Sequence, residues 1–248
     1  MDSVSVVIPV RNDARLLERC LQALAAQTVP PDEIIIVDNG STDDSAAIAR
    51  SFGARVVHEP QVGIPAAAAT GYDSARAPII ARCDADTIVR SDWIEKILRA
   101  FAERPDAAAV TGWGVFYDVP PLLGRILCGF YLGSYYALGG LAAAHHVLWG
   151  SSMAIRRSAW ENVSARVHRD NQEIHDDMDL ALVLGAGAQI ALVTDLQVEV
   201  SGRSVHLGPQ WRRRLARAFT TLSLNWETKP PWRRWADRFG WGANPAKR

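Results

Sequence analysis

The sequence predicts an α/β protein: a mostly parallel sheet flanked by helices. Two observations carry that expectation. Up to residue 116, short β-branched runs alternate with stretches of helical period across short polar loops, and such alternation builds parallel sheets. Within the runs, apolar residues are consecutive rather than alternate, the pattern of strands buried on both faces.

Each element follows in order. VSVVIPV (4–10) is the first strand, and DARLLERCLQALAAQ (13–27) is a helix with Leu16, Leu17, Cys20, Leu21 and Leu24 on one face. EIIIVD (33–38) is the second strand. STDDSAAIARSFG (41–53) opens on capping residues and acids and closes on Gly53, as a helix does. ARVVHE (54–59) is the third strand and IPAAAATGYDSAR (64–76) a helix weakened by Gly71. PIIARCD (78–84) is the fourth strand, SDWIEKILRAFAE (91–103) an amphipathic helix capped by Ser91, and AAAVTGWGVF (107–116) the fifth strand.

Beyond residue 117 the rhythm changes. A long apolar stretch precedes a strand at 148–155, a short helix near Arg156–Asn162 and an acid-led helix at 176–187. Two strands, QIALVTD and LQVEVSG, then lead to a basic helix at 210–226 and a Trp/Pro/Arg tail. The expected organisation is a main α/β region over 1–202, made of halves 1–116 and 117–202, and a basic extension over 203–248.

The 248 residues are 48% hydrophobic, enough for one large core. Lys+Arg and Asp+Glu both number 27, but residues 203–248 hold eleven Lys/Arg against Glu227 and Asp237, a net of +9. An acidic body with a basic tail suggests a polyanionic neighbour, such as a phospholipid surface. Nucleic acid is not the expected polyanion, because no binding motif accompanies the cations. Cys20, Cys83 and Cys128 are too scattered for a disulfide framework and read as buried thiols in a reducing cytosol. The opening MDSVSVVIPV does not read as a signal peptide.

Residues 126–144 carry no charge over 19 positions. A span would put Asp86 and Asp177 on opposite sides of a membrane, so three readings remain: a buried core helix, a helix in the membrane interface, or a contact in a homodimer. In the tail, Trp226, Trp232, Trp235 and Trp241 are interspersed with Arg233, Arg234 and Arg238, which suits a headgroup region. Peripheral association through 122–144 or 210–248, on the cytoplasmic face, is one reading. A tail folded over the main region is the other.

Three stretches can carry chemistry. Asp84 and Asp86 flank one alanine at the end of the fourth strand. They form either a polar turn or a pair of hard oxygen donors for Mg2+ or Mn2+. Asp38 ends the second strand before an Asn-Gly turn, as turn chemistry or as a contact to a nucleobase. Asp176, Asp177 and Asp179 crowd a helix start, where the dipole favours acids. Their mutual repulsion should raise at least one pKa, as a general base requires.

Taken together, VSVVIPVRND, EIIIVDNGSTDDS, RCDADT, WGSSMAIRRSAW and HDDMDLALVLGAGAQIALV resemble family 2 glycosyltransferases of the GT-A fold, over roughly residues 3–202. The resemblance implies inverting transfer from a UDP- or GDP-sugar to a saccharide or lipid-linked acceptor, with Mg2+ or Mn2+. It places Pro9, Arg11, Asn12 and Asp13 beside the nucleotide and Asp38 on the base. Asp86 is the metal ligand, with Asp84 facing ribose or metal. Gly150, Ser151 and Asp176 lie on the acceptor side, and Asp177 is the base. Arg156 and Arg157 could reach phosphates but read better as surface residues, and His206 could complete a metal shell. One departure stands out. GIPAAAATG (63–71) has Ala68 and Ala69 where the family often has Arg-Asn, so one basic donor contact is missing. The rival readings are a catalytically silent nucleotide-sugar-binding protein and a sugar nucleotidyltransferase, although the latter's Gly-rich basic loop after the first strand is absent.

Overall fold

The computed structural model describes residues 3–202 and 209–241. The chain runs β1 (Val4–Val10), α1 (Ala14–Ala25), β2 (Glu33–Asp38), α2 (Ser45–Ser51), β3 (Arg55–His58), α3 (Ile64–Ser74), β4 (Ile79–Arg82), β5 (Ile88–Val89), α4 (Trp93–Glu103) and β6 (Ala107–Phe116). It continues through α5 (Pro121–Ala143), β7 (Met153–Arg156), α6 (Arg157–Glu161), α7 (Asp176–Leu184), β8 (Gln189–Val200), α8 (Pro209–Thr228) and α9 (Pro231–Phe239).

All eight strands form one sheet, ordered β3-β2-β1-β4-β7-β6-β8-β5. β1 pairs in parallel with β2 and β4, and β2 with β3. The apolar runs are buried as their pattern demands: Val6, Val7 and Ile8 of β1, Ile35 to Val37 of β2, and Ile79 to Ala81 of β4 are closed to solvent. β7 then reverses the direction, antiparallel to both β4 and β6. β8 runs parallel to β6, and β5 ends the sheet antiparallel to β8.

Several boundaries differ from the sequence expectation. Asp92, not Ser91, holds the N-cap position of α4; it makes no side-chain cap bond and pairs with Lys96 at 3.0 Å. α2 begins four residues after Ser41. The two strands expected after residue 188 are one strand, β8, whose pairing with β6 slips between Thr111 and Trp113; the break in the pattern is a bulge. α7 stops at Gly185, which takes φ +84°. Gly71 has a packing reason inside α3: a Cβ there would lie 2.3 Å from Val7 Cγ1 and 2.9 Å from Val37 Cγ2. The glycine lets α3 lie directly on β1 and β2.

The apolar stretch is a 23-residue helix, α5, buried along only one line: Gly124, Cys128, Leu132, Tyr136, Gly139 and Ala143. α9 lay unseen in the tail because its Pro, Trp and Arg residues read as irregular chain.

Candidate active site

Strand direction decides which loops meet. β1, β2 and β4 are parallel, so Arg11–Asp13, Asp38 and Asp84–Asp86 emerge at one edge of the sheet. β7 is antiparallel to β4, with Met153 opposite Arg82. The loop before β7, carrying Gly150 and Ser151, therefore lies at that same edge.

The first two loops are stitched together. Asn12, in the left-handed region at φ 53°, accepts the Thr42 N–H at 2.7 Å, and its own N–H donates to Ser41 Oγ at 3.1 Å. Asp38 accepts the Ser41 N–H at 2.9 Å through Oδ1, while His58 Nδ1 lies 4.0 Å from Oδ2. Arg11 is exposed and Asp13 half-buried. Pro9 pairs with Val37 of β2 and lies beyond the β4 pairing, which covers Val4–Val7. The missing N–H of Pro9 therefore breaks no bond to β4.

The organiser of the site is Arg82, the last residue of β4, whose side chain is only 4% exposed. Its guanidinium forms ion pairs with Asp176 and, at 3.1 Å, with Asp84 Oδ1. Ser151 Oγ donates to the other oxygen of Asp84 at 2.6 Å. A Cβ on Gly150 would fall 2.7 Å from the Arg82 guanidinium carbon, so the glycine makes room for the cation. Asp177 accepts the Gly150 N–H through Oδ2 and the Met178 N–H through Oδ1, both at 2.8 Å. Thus Arg82, Asp84, Gly150, Ser151, Asp176 and Asp177 form one bonded cluster. Sequence reading missed Arg82. A buried cation inside an apolar strand is a signal in itself, since a charge there requires partners.

The acids at the start of α7 divide into three roles. Asp176 is the one whose pKa is raised, to about 6. Burial is the main cause; Asp177 and Asp84 add to it and Arg82 opposes it. Desolvation thus outweighs the mutual repulsion expected from the sequence. Asp179 is fully buried: it accepts the His168 N–H at 2.9 Å and the Asn225 Nδ2–H at 2.7 Å. It ties the preceding loop and α8 to α7 and does not face the cluster's ligands. Tyr131 and Tyr135 of α5, both close enough to feel the charge of Asp177, were also not anticipated.

Arg156 belongs elsewhere. It sits opposite Ile79 at the far end of β4 and donates to the carbonyls of Ala107 and Pro105 at 2.9 and 3.0 Å. Arg157 pairs loosely with Glu161 on α6. Ala68 and Ala69 are buried and line, with Tyr72, Trp160 and Asp176, a cavity of about 20 Å3. That is water-sized. Arg169, which pairs with Asp73 at 2.9 Å, also lines the cavity, and Arg82 pairs with its Asp176.

Among the described residues, no three His, Cys, Asp or Glu side chains cluster as a ready-made metal cage. The donor set still fits a hard divalent ion, which is often held by one or two carboxylates with substrate phosphates supplying the rest. Asp84 already bonds Arg82 and Ser151. Asp86 lies half-buried two residues on in the same turn. His206 lies outside the described residues.

The model of glycosyl transferase family 2 matches residues 5–163 of the chain, which takes in every strand-end loop above but stops short of Asp176. Glycosyltransferase AglE of Haloferax volcanii is 37% identical over 101 residues, covering 38% of this chain and 33% of the relative. Validoxylamine A glucosyltransferase of Streptomyces hygroscopicus subsp. limoneus is 34% identical over 123 residues, covering 46% and 27%. The chain thus spans about a third or less of the length of these two relatives. Among solved structures, mannosyltransferase PcManGT of Pyrobaculum calidifontis, in complex with GDP-Man and Mn2+, superposes with a TM-score of 0.70 at 22% identity, covering 99% of this chain and 71% of that one. Glucosyl-3-phosphoglycerate synthase of Mycobacterium tuberculosis, in complex with Mn2+, UDP and glucosyl-3-phosphoglycerate, does so with 0.63 at 18%, covering 90% and 80%. At those identities the structural likeness speaks for the fold. With a GT-A architecture and a family match over most of its length, the chain belongs to glycosyl transferase family 2.

Proposed function

We propose that the chain is an inverting glycosyltransferase that moves a sugar from a UDP- or GDP-sugar to a hydroxyl of a saccharide or lipid-linked acceptor. One observation carries this reading: the Arg82 guanidinium holds the donor-side acid Asp84 and Asp176 of α7 together, beside Asp177. Transfer needs those two functions on opposite sides of one anomeric carbon.

On the donor side, Asp38 bonds the base, and Pro9, Arg11 and Asp13 border the nucleotide. Asp86, with Asp84, would hold Mg2+ or Mn2+, which when bound would supply Lewis-acid stabilisation of a diphosphate leaving group. On the acceptor side, Gly150 and Ser151 flank the sugar. Asp177 takes the proton of the attacking hydroxyl. Its two backbone N–H bonds fix the direction of its carboxylate and leave it further lone pairs. Asp176 supports it from the next position, anchored by Arg82. Attack opposite the leaving group inverts the anomeric centre. The buried free thiols Cys20, Cys83 and Cys128 suit a reducing cytoplasmic setting.

The test is a thermal-shift screen of UDP- and GDP-sugars with and without Mn2+, followed by measurement of nucleoside diphosphate release. One donor is expected to stabilise the protein only with metal, and Asp86→Ala to abolish that shift. Asp177→Asn should keep donor binding and lose transfer. Transfer retained by Asp177→Asn would remove the base. Absence of metal-dependent release from every donor would favour the silent binding protein.

A further inference from the structure

Helix α5 is apolar on its outside as well as its inside. The inner line is fastened to the protein: Tyr136 Oη donates to the Gly112 carbonyl and Tyr135 Oη to the Leu148 carbonyl, both at 2.6 Å. The outer line is Leu122, Ile126, Phe130, Leu138 and Leu141, each 60–79% exposed. They are spaced three or four residues apart except where Ser134 falls between Phe130 and Leu138, so they lie along one face about 30 Å long. A surface helix normally turns a polar face outward, and a continuous apolar patch of this size marks a partner.

α9 packs against the end of α5, and both C-terminal helices carry exposed apolar residues and exposed arginines. Trp235 Nε1 donates to the Leu141 carbonyl at 2.9 Å, seating α9 against the end of α5. Trp235, Phe239 and Trp241 stack in series at centroid distances of 5.5 and 4.8 Å. Trp232, Phe239 and Trp241 are exposed, and so are Leu215 and Phe219 of α8. Arg125, Arg212, Arg233 and Arg238 are exposed on the same helices.

We propose that the outer face of α5, together with α8 and α9, lies in the plane of a bilayer rich in anionic phospholipid. Apolar stripe, tryptophans and arginines are the composition of a helix face that sinks to headgroup depth. Charge complementarity selects this occupant over a second copy of the chain. A two-fold contact through this face would bring like arginines together, whereas anionic headgroups neutralise them. A span is excluded by the fastened inner line, which holds α5 flat against β6. The docking does not depend on the transferase reading.

The test uses the full chain with two vesicle types, pure phosphatidylcholine and phosphatidylcholine with about one third phosphatidylglycerol, read by flotation. The wild type should float with the anionic vesicles and less so as salt rises. The double variant Ile126→Asp/Phe130→Asp should weaken binding about tenfold or more. Arg233→Glu and Arg238→Glu should each weaken it about fivefold. Circular dichroism and an unchanged thermal midpoint check that the variants are folded, and the arginine variants carry the test if the apolar pair fails to fold. Three results would overturn the proposal. The wild type could float with neither vesicle. The variants could bind anionic vesicles as the wild type does. Or sedimentation without vesicles could show a dimer that Ile126→Asp/Phe130→Asp makes monomeric, in which case the face joins two copies.

Discussion

Replacing Arg82 with methionine would keep the aliphatic stem and strip Asp176 and Asp84 of their shared counter-charge. Breaking a buried pair from one side costs about 3–5 kcal/mol, so Arg82→Met should lower the denaturant midpoint substantially and abolish transfer. Asp176 sets a pH signature. Its pKa is raised from 3.8 to about 6 on folding, so between those values the folded state binds more protons than the unfolded one. This residue's contribution to stability therefore declines as pH rises from 3.8 to about 6 and is flat outside that window. Denaturation midpoints across the range should show this slope in the wild type, and Asp176→Asn should remove it. The acids of this cluster were legible in the sequence because their spacing is unusual. Arg82 was missed because its main partner lies 94 residues away: a cation inside an apolar strand announces that it needs partners, but not which.

At the scale of elements, local period was a sound guide where the helix or strand is set by its own residues. The β-branched runs became β1, β2, β4 and β6, and α1 buries Leu17, Cys20, Leu21 and Leu24 as its spacing requires. Strand direction was not legible, since a run such as MAIR has the same composition whichever way it pairs. The reversal at β7 and the two-residue β5 both depend on neighbours distant in sequence. The contact of α3 with the sheet gives a test. In Gly71→Ala the added methyl would overlap Val7 and Val37, and overpacking of this kind costs about 1–3 kcal/mol. A lowered thermal midpoint with intact secondary structure is the expected result.

The molecule as a whole is closed by its C-terminal helices. Arg234 is buried on α9 and donates to the Leu182 carbonyl at 2.7 Å and the Lys229 carbonyl at 2.8 Å, tying α9 to α7 and to the end of α8. Arg234→Ala should release α9. Limited proteolysis would then cut near residues 229–231 faster than in the wild type, and equal cutting rates would show that the tryptophan contacts suffice. The reversed strand has a further consequence, one of timing during synthesis. Arg82 leaves the ribosome 94 residues before Asp176, and until then β4 cannot bury its guanidinium against its main counter-charge. This ion pair therefore closes only once α7 has been made, and the sheet itself only after β8 follows. A chain stopped before Asp176 would carry the Arg82 cation without its main counter-charge.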